Sequence, residues 1–234
     1  PVRNTIVHNT SAPQEANDFE SQAELNLLMA LIHYVVNLRD ANGNLLPIEQ
    51  RGLGDVYRMI ATESIEEINR RLAALPPEHP AKYPHGLFLK AKENLWGNIV
   101  IGLGNRLAVF QSRLVDKITR NHDVDLLLPG KRPCVYFVII SAQDSAYRFL
   151  SSLFFSLALP QLSNFARLQC AGGRLPVLTN FCLDEYCNIG YLDGVADSLN
   201  SIRGFNMSAQ IVVQSLSQWQ EKYPGKEWEN QLAT

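Results

Sequence analysis

The sequence lacks long hydrophobic runs, paired-cysteine motifs and a charge excess of either sign. No uninterrupted apolar stretch approaches the ~20 residues of a membrane-spanning helix. The formal net charge of -2 gives no general attraction to nucleic acid. The four cysteines have no CxxC spacing, so we expect reduced core residues of a cytosolic protein rather than a zinc site or disulfides. They are Cys134, Cys170, Cys182 and Cys187.

A phosphate-binding loop of the form GxxxxGK[ST] is also missing. Gly130 and Lys131 come nearest to it, but Arg132 stands where the loop needs Ser or Thr. Without that loop the chain has no backbone cradle for phosphates and no lysine to reach them. We therefore expect this chain to hydrolyse no nucleotide by itself.

The most informative stretch present is an apolar run, residues 176–183, that ends abruptly in Asp184 and Glu185. Its composition predicts a strand buried on both faces, as in a parallel sheet between helices. Ligands of such sheets lie beyond the carboxyl ends of the strands. Two acids at this position are typical of a Walker B segment, in which one acid holds magnesium and the other orients the attacking water. The same pattern also occurs where a strand merely meets solvent.

A helix and a second strand follow this acidic pair. Residues 192–203 have helical periodicity, with Gly204 placed as a C-cap. Residues 209–213 form another short apolar run, which ends at Gln214. Two adjacent parallel strands would bring the acidic pair and Gln214 to one edge of the sheet, with Arg203 between the strands in the chain.

Within residues 121–234, the clearest strand pattern covers residues 134–140, upstream of the acidic pair. A helical pattern over residues 144–165 follows it. Strand, helix, strand, helix, strand is the rhythm of a parallel sheet. The chain closes in an aromatic helical stretch that contains Trp219 and Tyr223. We therefore predict an α/β fold for this half.

Residues 11–120 show no strand pattern and predict an all-helical domain. Residues 18–38 should form a central, buried helix. Pro47 should stand in the first turn of a second helix, and Ser64 with Glu67 forms the capping-box pattern of a third. Residues 86–111 predict one long helix that residues 112–120 continue.

Several motifs together resemble the type IV secretion coupling proteins. These are the TraG/VirD-type ATPases of conjugative DNA transfer, relatives of the FtsK/HerA hexameric ATPases. The resemblance rests on four stretches, Leu183-Asp184-Glu185-Tyr186-Cys187-Asn188-Ile189-Gly190, Ser201-Ile202-Arg203-Gly204, Val212-Val213-Gln214-Ser215-Leu216-Ser217-Gln218 and Gly225-Lys226-Glu227-Trp228. Cys187 departs from the small residue that is usual at its position.

The resemblance implies a P-loop NTPase with a RecA-like parallel sheet, incomplete in this chain, and an inserted all-alpha domain. Residues 1–10 and 121–234 would belong to the nucleotide-binding domain and residues 11–120 to the insertion. Asp184 would hold Mg²⁺ through water, and Glu185 would orient the attacking water. Gln214 would sense the γ-phosphate of ATP, and Arg203 would be an arginine finger for the neighbouring subunit. Arg203 at a helix end is equally typical of a cation that stabilises the helix dipole.

The resemblance also implies partners and a location. The full-length protein would be a hexamer on the cytoplasmic face of the bacterial inner membrane, anchored by transmembrane helices outside this chain. It would bind single-stranded DNA, channel components and a relaxase or relaxosome accessory protein. Residues 11–120 carry 12 Lys/Arg and 13 Asp/Glu, and this neutrality favours a protein ligand over DNA. A non-enzymatic docking module and an FtsK/HerA-like DNA pump outside secretion are the alternatives.

Overall fold

The computed structural model describes residues 19–121, 123–140, 148–192 and 194–232. They fall into two units, divided between Asp123 and Val124. Each unit is described by itself. The predictions for residues 1–10, for the linker that follows them and for the start of the helix over 144–165 lie outside the described residues.

The regular structure of the first unit is helical among the described residues, apart from one isolated bridge between Arg39 and Leu45. The helices are α1 (Phe19–Val36), α2 (Leu53–Thr62), α3 (Ile65–Ala73), α4 (Lys82–Phe88), α5 (Glu93–Arg106) and α6 (Arg113–Ile118). Helix α1 packs against α2, α4 and α5, and its Leu27, Leu28 and Leu31 are fully buried. The prediction of a central buried helix is confirmed.

Two local predictions in this unit are wrong, and one is confirmed. The long helix over 86–111 is broken, because the chain leaves helical geometry after Phe88 and buries Ala91 before α5 begins. Pro47 precedes a 3-10 turn, and α2 begins only at Leu53. Ser64 does cap α3, since its hydroxyl accepts a hydrogen bond of 3.2 Å from Glu67 N.

The second unit is mostly helical around a two-stranded parallel sheet. Its elements are α7 (Leu128–Lys131), α8 (Arg148–Gln169), β1 (Thr179–Leu183), α9 (Val195–Ile202), β2 (Met207–Ile211), α10 (Leu216–Lys222) and α11 (Glu227–Leu232). The strands pair from Thr179 with Met207 to Leu183 with Ile211. This pairing confirms the predicted neighbouring strands, and the small sheet is compatible with an incomplete α/β fold.

Helix α8 forms the apolar centre of the second unit. Phe155, Leu159 and Leu162 are among its buried residues and belong to the same cluster as Leu183 and Leu199. By length and composition alone, α8 is the one helix among the described residues that could cross a membrane. Its packing in this cluster is the behaviour of a core helix.

The predicted strand over residues 134–140 is wrong. The segment has no regular structure, and Val135, Phe137 and Ile139 are 73%, 87% and 94% exposed. Its composition suits a strand, but a strand also needs a neighbour to bond to its backbone, and no described strand pairs with it. The segment instead lines one side of a cavity of about 900 Å³, and residues of β1 line another side.

Three further expectations need correction. Strand β1 is not buried on both faces, because Asn180 and Cys182 are exposed. Cys134 is exposed as well, so neither Cys134 nor Cys182 is a core residue, although all four cysteines are free. Gly204 is not the left-handed cap after α9. Asn206 adopts that conformation, with φ of 64°, and its side-chain amide donates to Leu175 O at 2.9 Å.

Candidate functional site

The carboxyl edge of the sheet gathers three of the four residues singled out in the sequence. Because Leu183 pairs with Ile211, Asp184 and Glu185 follow β1 at the same edge where Gln214 follows β2. All three side chains belong to exposed residues. The strand patterns therefore located this edge correctly, although β1 begins only at Thr179 and β2 lies two residues earlier than predicted.

Backbone bonds continue beyond the strands and fix the turn at Glu185. Val212 N donates to Leu183 O at 3.0 Å, and Tyr186 N donates to Val212 O at 3.0 Å. Between these bonds Glu185 has φ of 49° and ψ of 45°, in the left-handed region. Such a conformation costs a residue with a side chain roughly 1–3 kcal/mol and is found preferentially at functional sites. The turn is therefore held by its surroundings.

Two amides hold the Glu185 carboxylate. Gln214 Nε2 donates to Oε1 at 3.1 Å, and Asn188 Nδ2 donates to Oε2 at 2.9 Å. The link to Gln214 joins residues that follow different strands. Asn188 is a site residue that we did not predict, although it belongs to the motif that carries the resemblance. Its position three residues after Glu185 was visible in the sequence. Only the geometry of the turn shows that this spacing brings the Asn188 amide to the Glu185 carboxylate.

Asp184 keeps an open carboxylate. Its Oδ1 accepts a hydrogen bond from Glu185 N at 3.0 Å, and the residue is otherwise exposed. Within the described ranges no three His, Cys, Asp or Glu residues are grouped as a metal site. Mg²⁺ typically keeps several waters and uses one or two carboxylates together with phosphate oxygens. The chemistry of Asp184 fits that kind of shared ion and not a site made by the protein alone.

Arg203 is not at this edge. It follows α9 and precedes β2, so it lies at the amino end of the strands. At about 3.3 Å per residue, strands of five residues hold the two edges roughly 15 Å apart. Arg203 is exposed, and no hydrogen bond or ion pair holds its guanidinium within the described part of the chain. It cannot reach Glu185 of its own sheet.

Buried aromatic residues support the turn from behind. Tyr186 is fully buried, and its hydroxyl is hydrogen-bonded to Tyr223 at 3.1 Å and to Gln231 Oε1 at 3.0 Å. Its ring stacks on Tyr223 with centroids 5.7 Å apart. Trp219 Nε1 also donates to Gln231 Oε1, at 2.8 Å. Burial raises the pKa of Tyr186 well above its usual value, so its hydroxyl stays protonated.

Lys222 contacts the inner side of this turn. Its amine donates to Cys187 O, and burial lowers the pKa of Lys222 to about 8. The pKa of the Cys187 thiol is raised by its own partial burial. Lys222 is engaged with backbone on the inner side of the turn, so it does not offer its charge at the exposed carboxylates.

Acids and amides beyond the carboxyl ends of a parallel sheet are the arrangement with which α/β proteins bind ligands. The chain itself belongs to the type IV secretory system conjugative DNA transfer family, whose model matches residues 3–234. This match confirms the resemblance to a coupling protein of conjugative DNA transfer. Comparisons with curated proteins and with solved structures give no significant match.

Proposed function

We propose that this chain supplies the acidic half of the nucleotide site in an ATP-driven, hexameric motor that couples DNA substrates to a type IV secretion channel. The observation that carries the proposal is the contact between Glu185 and Gln214 across the carboxyl edge, in a chain of this family. Membership of this family also favours secretion over an FtsK/HerA-like pump, because the family is one of conjugative transfer. The two strands would be part of a RecA-like P-loop NTPase sheet.

Asp184 would hold Mg²⁺ through water, and MgATP would bring the remaining oxygen ligands. The exposed carboxylate of Asp184 suits this role, because its position leaves room for water between the acid and the ion. Bound Mg²⁺ would neutralise charge on the phosphates. The phosphate-binding loop would come from residues outside this sequence, which contains no GxxxxGK[ST].

Glu185 and Gln214 would act on the attacking water and on the terminal phosphate. Phosphoryl transfer depends mainly on positioning and on charge stabilisation. A carboxylate has about four lone-pair directions, and the two amides use two of them. Glu185 therefore retains lone pairs for a water molecule. Gln214 could respond to the γ-phosphate and pass the change to Glu185 through their hydrogen bond.

Arg203 would act on the nucleotide of the neighbouring subunit. The roughly 15 Å between the two edges of the sheet supports action in trans, because Arg203 is far from its own acidic edge. Its exposed guanidinium is available to a neighbour.

The proposal is tested by Glu185→Gln in the longer protein that joins this chain to a phosphate-binding loop. We expect MgATP to bind normally and turnover to be lost, because the amide cannot accept from water as the carboxylate does. Asn200→Ala, an exposed change on α9, is the control. Turnover that survives Glu185→Gln would overturn the assignment. So would magnesium-dependent turnover by residues 1–234 alone, if Glu185→Gln abolished it.

A docking role for residues 11–120 is the second proposed function. Many cations of this helical unit are already paired with acids. Arg58 and Arg120 contact Asp55 and Asp116, and Arg106 contacts Glu24. Phosphate contacts supply most non-specific DNA affinity. Arginines that are already paired with acids contribute little to that affinity. This favours a protein ligand such as a relaxase or its accessory factor.

Individual exposed apolar side chains on the same unit are compatible with a protein ligand. Tyr83 and Leu87 on α4 are 81% and 51% exposed, and Ile101 on α5 is 64% exposed. In the longer protein we place this unit at the cytoplasmic face of the inner membrane, beside the channel. Single-stranded DNA would be handled in the ring.

A further inference from the structure

We propose that Asn188 is a positioning residue for nucleotide hydrolysis, which sets the carboxylate of Glu185 against the attacking water. The inference rests on the proposed function, because it assigns a role at the same site. Neither the family match nor the sequence motifs assign a task to Asn188.

The first argument is the geometry of the carboxylate. Asn188 Nδ2 lies 2.9 Å from Glu185 Oε2, and Gln214 Nε2 lies 3.1 Å from Glu185 Oε1. One donor on each oxygen fixes both the position and the rotation of the carboxylate plane. With Gln214 alone, the group could rotate about that single bond. Asn188 therefore determines where the free lone pairs point.

The second argument is that Asn188 belongs to the same rigid turn as Glu185. Asn188 N donates to Glu185 O at 2.7 Å, so backbone and side chain both connect the two residues. The 3-10 turn Tyr186–Asn188 begins directly after the left-handed Glu185. A donor attached to such a short closed turn loses little freedom when it bonds to the carboxylate.

The third argument is the anchorage of that turn. Tyr186 is buried and hydrogen-bonded to Tyr223 and to Gln231, which lie after α10 and in α11. On the other side, Tyr186 N is bonded to Val212 O beyond β2. The turn is thus fastened both to the sheet and to the closing helices. Asn188 therefore holds the carboxylate in position before any nucleotide binds.

Positioning of this kind affects the reaction rate more than substrate affinity. A displacement of about 1 Å at a reacting group can cost on the order of 10²-fold in rate. Loss of the Asn188 donor should therefore lower kcat and leave the KM for ATP nearly unchanged. A residue that merely stabilised the turn would change the melting temperature and not kcat.

The test compares variants of the longer protein that contains the phosphate-binding loop. We expect Asn188→Ala to lower kcat about 10- to 100-fold, with KM, nucleotide affinity and Tm equal to those of Asn200→Ala. Asn188→Asp keeps the shape of the side chain but places a second carboxylate against Glu185. It should lower kcat further, and it serves if the alanine variant folds poorly. Asn188→Gln, which retains an amide donor, should recover part of the rate.

Two outcomes separate the inference from the proposed function. If Glu185→Gln abolishes turnover while Asn188→Ala and Asn188→Asp leave kcat intact, Asn188 positions nothing and only this inference falls. If Glu185→Gln itself leaves turnover intact, Glu185 is not the water-orienting residue, and both proposals fall. A fall in Tm that accounts for all loss of activity in both Asn188 variants would also contradict the positioning role.

Discussion

Gly102 on α5 lies directly against Glu24 on α1, and a Cβ atom at position 102 would overlap Glu24 Oε1. The other oxygen of Glu24 pairs with Arg106 Nε at 2.5 Å, and both side chains are only 9% exposed. The absence of a side chain at Gly102 therefore makes room for a buried ion pair. A larger residue at position 102 must shift the Glu24 carboxylate that pairs with Arg106.

Gly102→Ala should destabilise the helical unit by about 1–3 kcal/mol. Gly97→Ala, five residues earlier on the same helix, is a matched control, because an added Cβ there meets no atom within 4 Å. Gly97→Ala should raise the free energy of unfolding by about 0.4–1 kcal/mol, because alanine leaves the unfolded chain less conformational entropy than glycine does. Chemical denaturation of both variants measures the difference. Equal stabilities would show that Glu24 moves without cost.

Lys222 should make stability depend on pH in the alkaline range. Burial lowers its pKa to about 8 from an ordinary value of 10.5, so the unfolded chain binds the proton more tightly than the folded one. The free energy of unfolding should therefore rise between about pH 8 and pH 10.5. Below pH 8 Lys222 is charged in both the folded and the unfolded chain, and this gain in stability is absent. With partial exposure taken into account, we expect about 1–2 kcal/mol from this residue.

Lys222→Met keeps the length of the side chain and removes the titrating amine. The difference in unfolding free energy between the two proteins is measured from pH 7 to pH 10.5. It isolates the contribution of Lys222 from that of the tyrosines, because both proteins contain the same tyrosines. A difference that stays constant across this range would contradict the lowered pKa.

Arg203→Ala in the longer protein should leave folding and nucleotide binding nearly intact and reduce turnover strongly. Arginine fingers contribute roughly 10³- to 10⁵-fold elsewhere, so even a partial role should exceed tenfold. As a mere charge at a helix end, Arg203 would contribute about 0.3–1 kcal/mol of stability and nothing to catalysis. Steady-state ATPase assays and thermal unfolding distinguish these results.

Mixed rings test whether Arg203 acts across a subunit boundary. Arg203→Ala subunits keep Glu185, and Glu185→Gln subunits keep Arg203, so neighbours of the two kinds can form one complete site. Some activity should return on mixing. Absence of rescue at every ratio, with assembly verified, would argue for a role within one subunit or for none.

Residues 11–120 should bind a relaxosome protein more tightly than bare DNA. Titrations against duplex and single-stranded DNA at physiological salt should show weak binding, because many arginines of the unit are paired. Micromolar or tighter affinity for DNA with a steep salt dependence would contradict this expectation.

The sequence predicted the acidic edge well, for a simple physical reason. Parallel strands end at the same edge, so two short apolar runs that finish in Glu185 and Gln214 are sufficient to bring those residues together. The same rule accounts for the position of Arg203. A connection between parallel strands must return to the amino edge before the second strand begins, and Arg203 stands at the end of that return.

Asn188 and residues 134–140 show why the remainder could not be predicted. The role of Asn188 depends on the left-handed backbone of Glu185, a conformation that hydrophobic periodicity does not encode. Residues 134–140 have the composition of a strand, but composition does not reveal whether a partner strand is present. Pattern identifies faces and edges, whereas individual contacts depend on tertiary neighbours.

Arg203 and Glu185 lie at opposite ends of the same two strands, so a contact between copies that joined them would bring the amino edge of one sheet to the carboxyl edge of the next. A two-fold dimer would make this contact twice across one self-complementary patch, whereas a head-to-tail ring makes it once at each boundary. In the head-to-tail arrangement of a ring, each added copy would leave one edge of each kind unused. Growth would then stop only when the last copy meets the first, and otherwise it would continue as a helical filament.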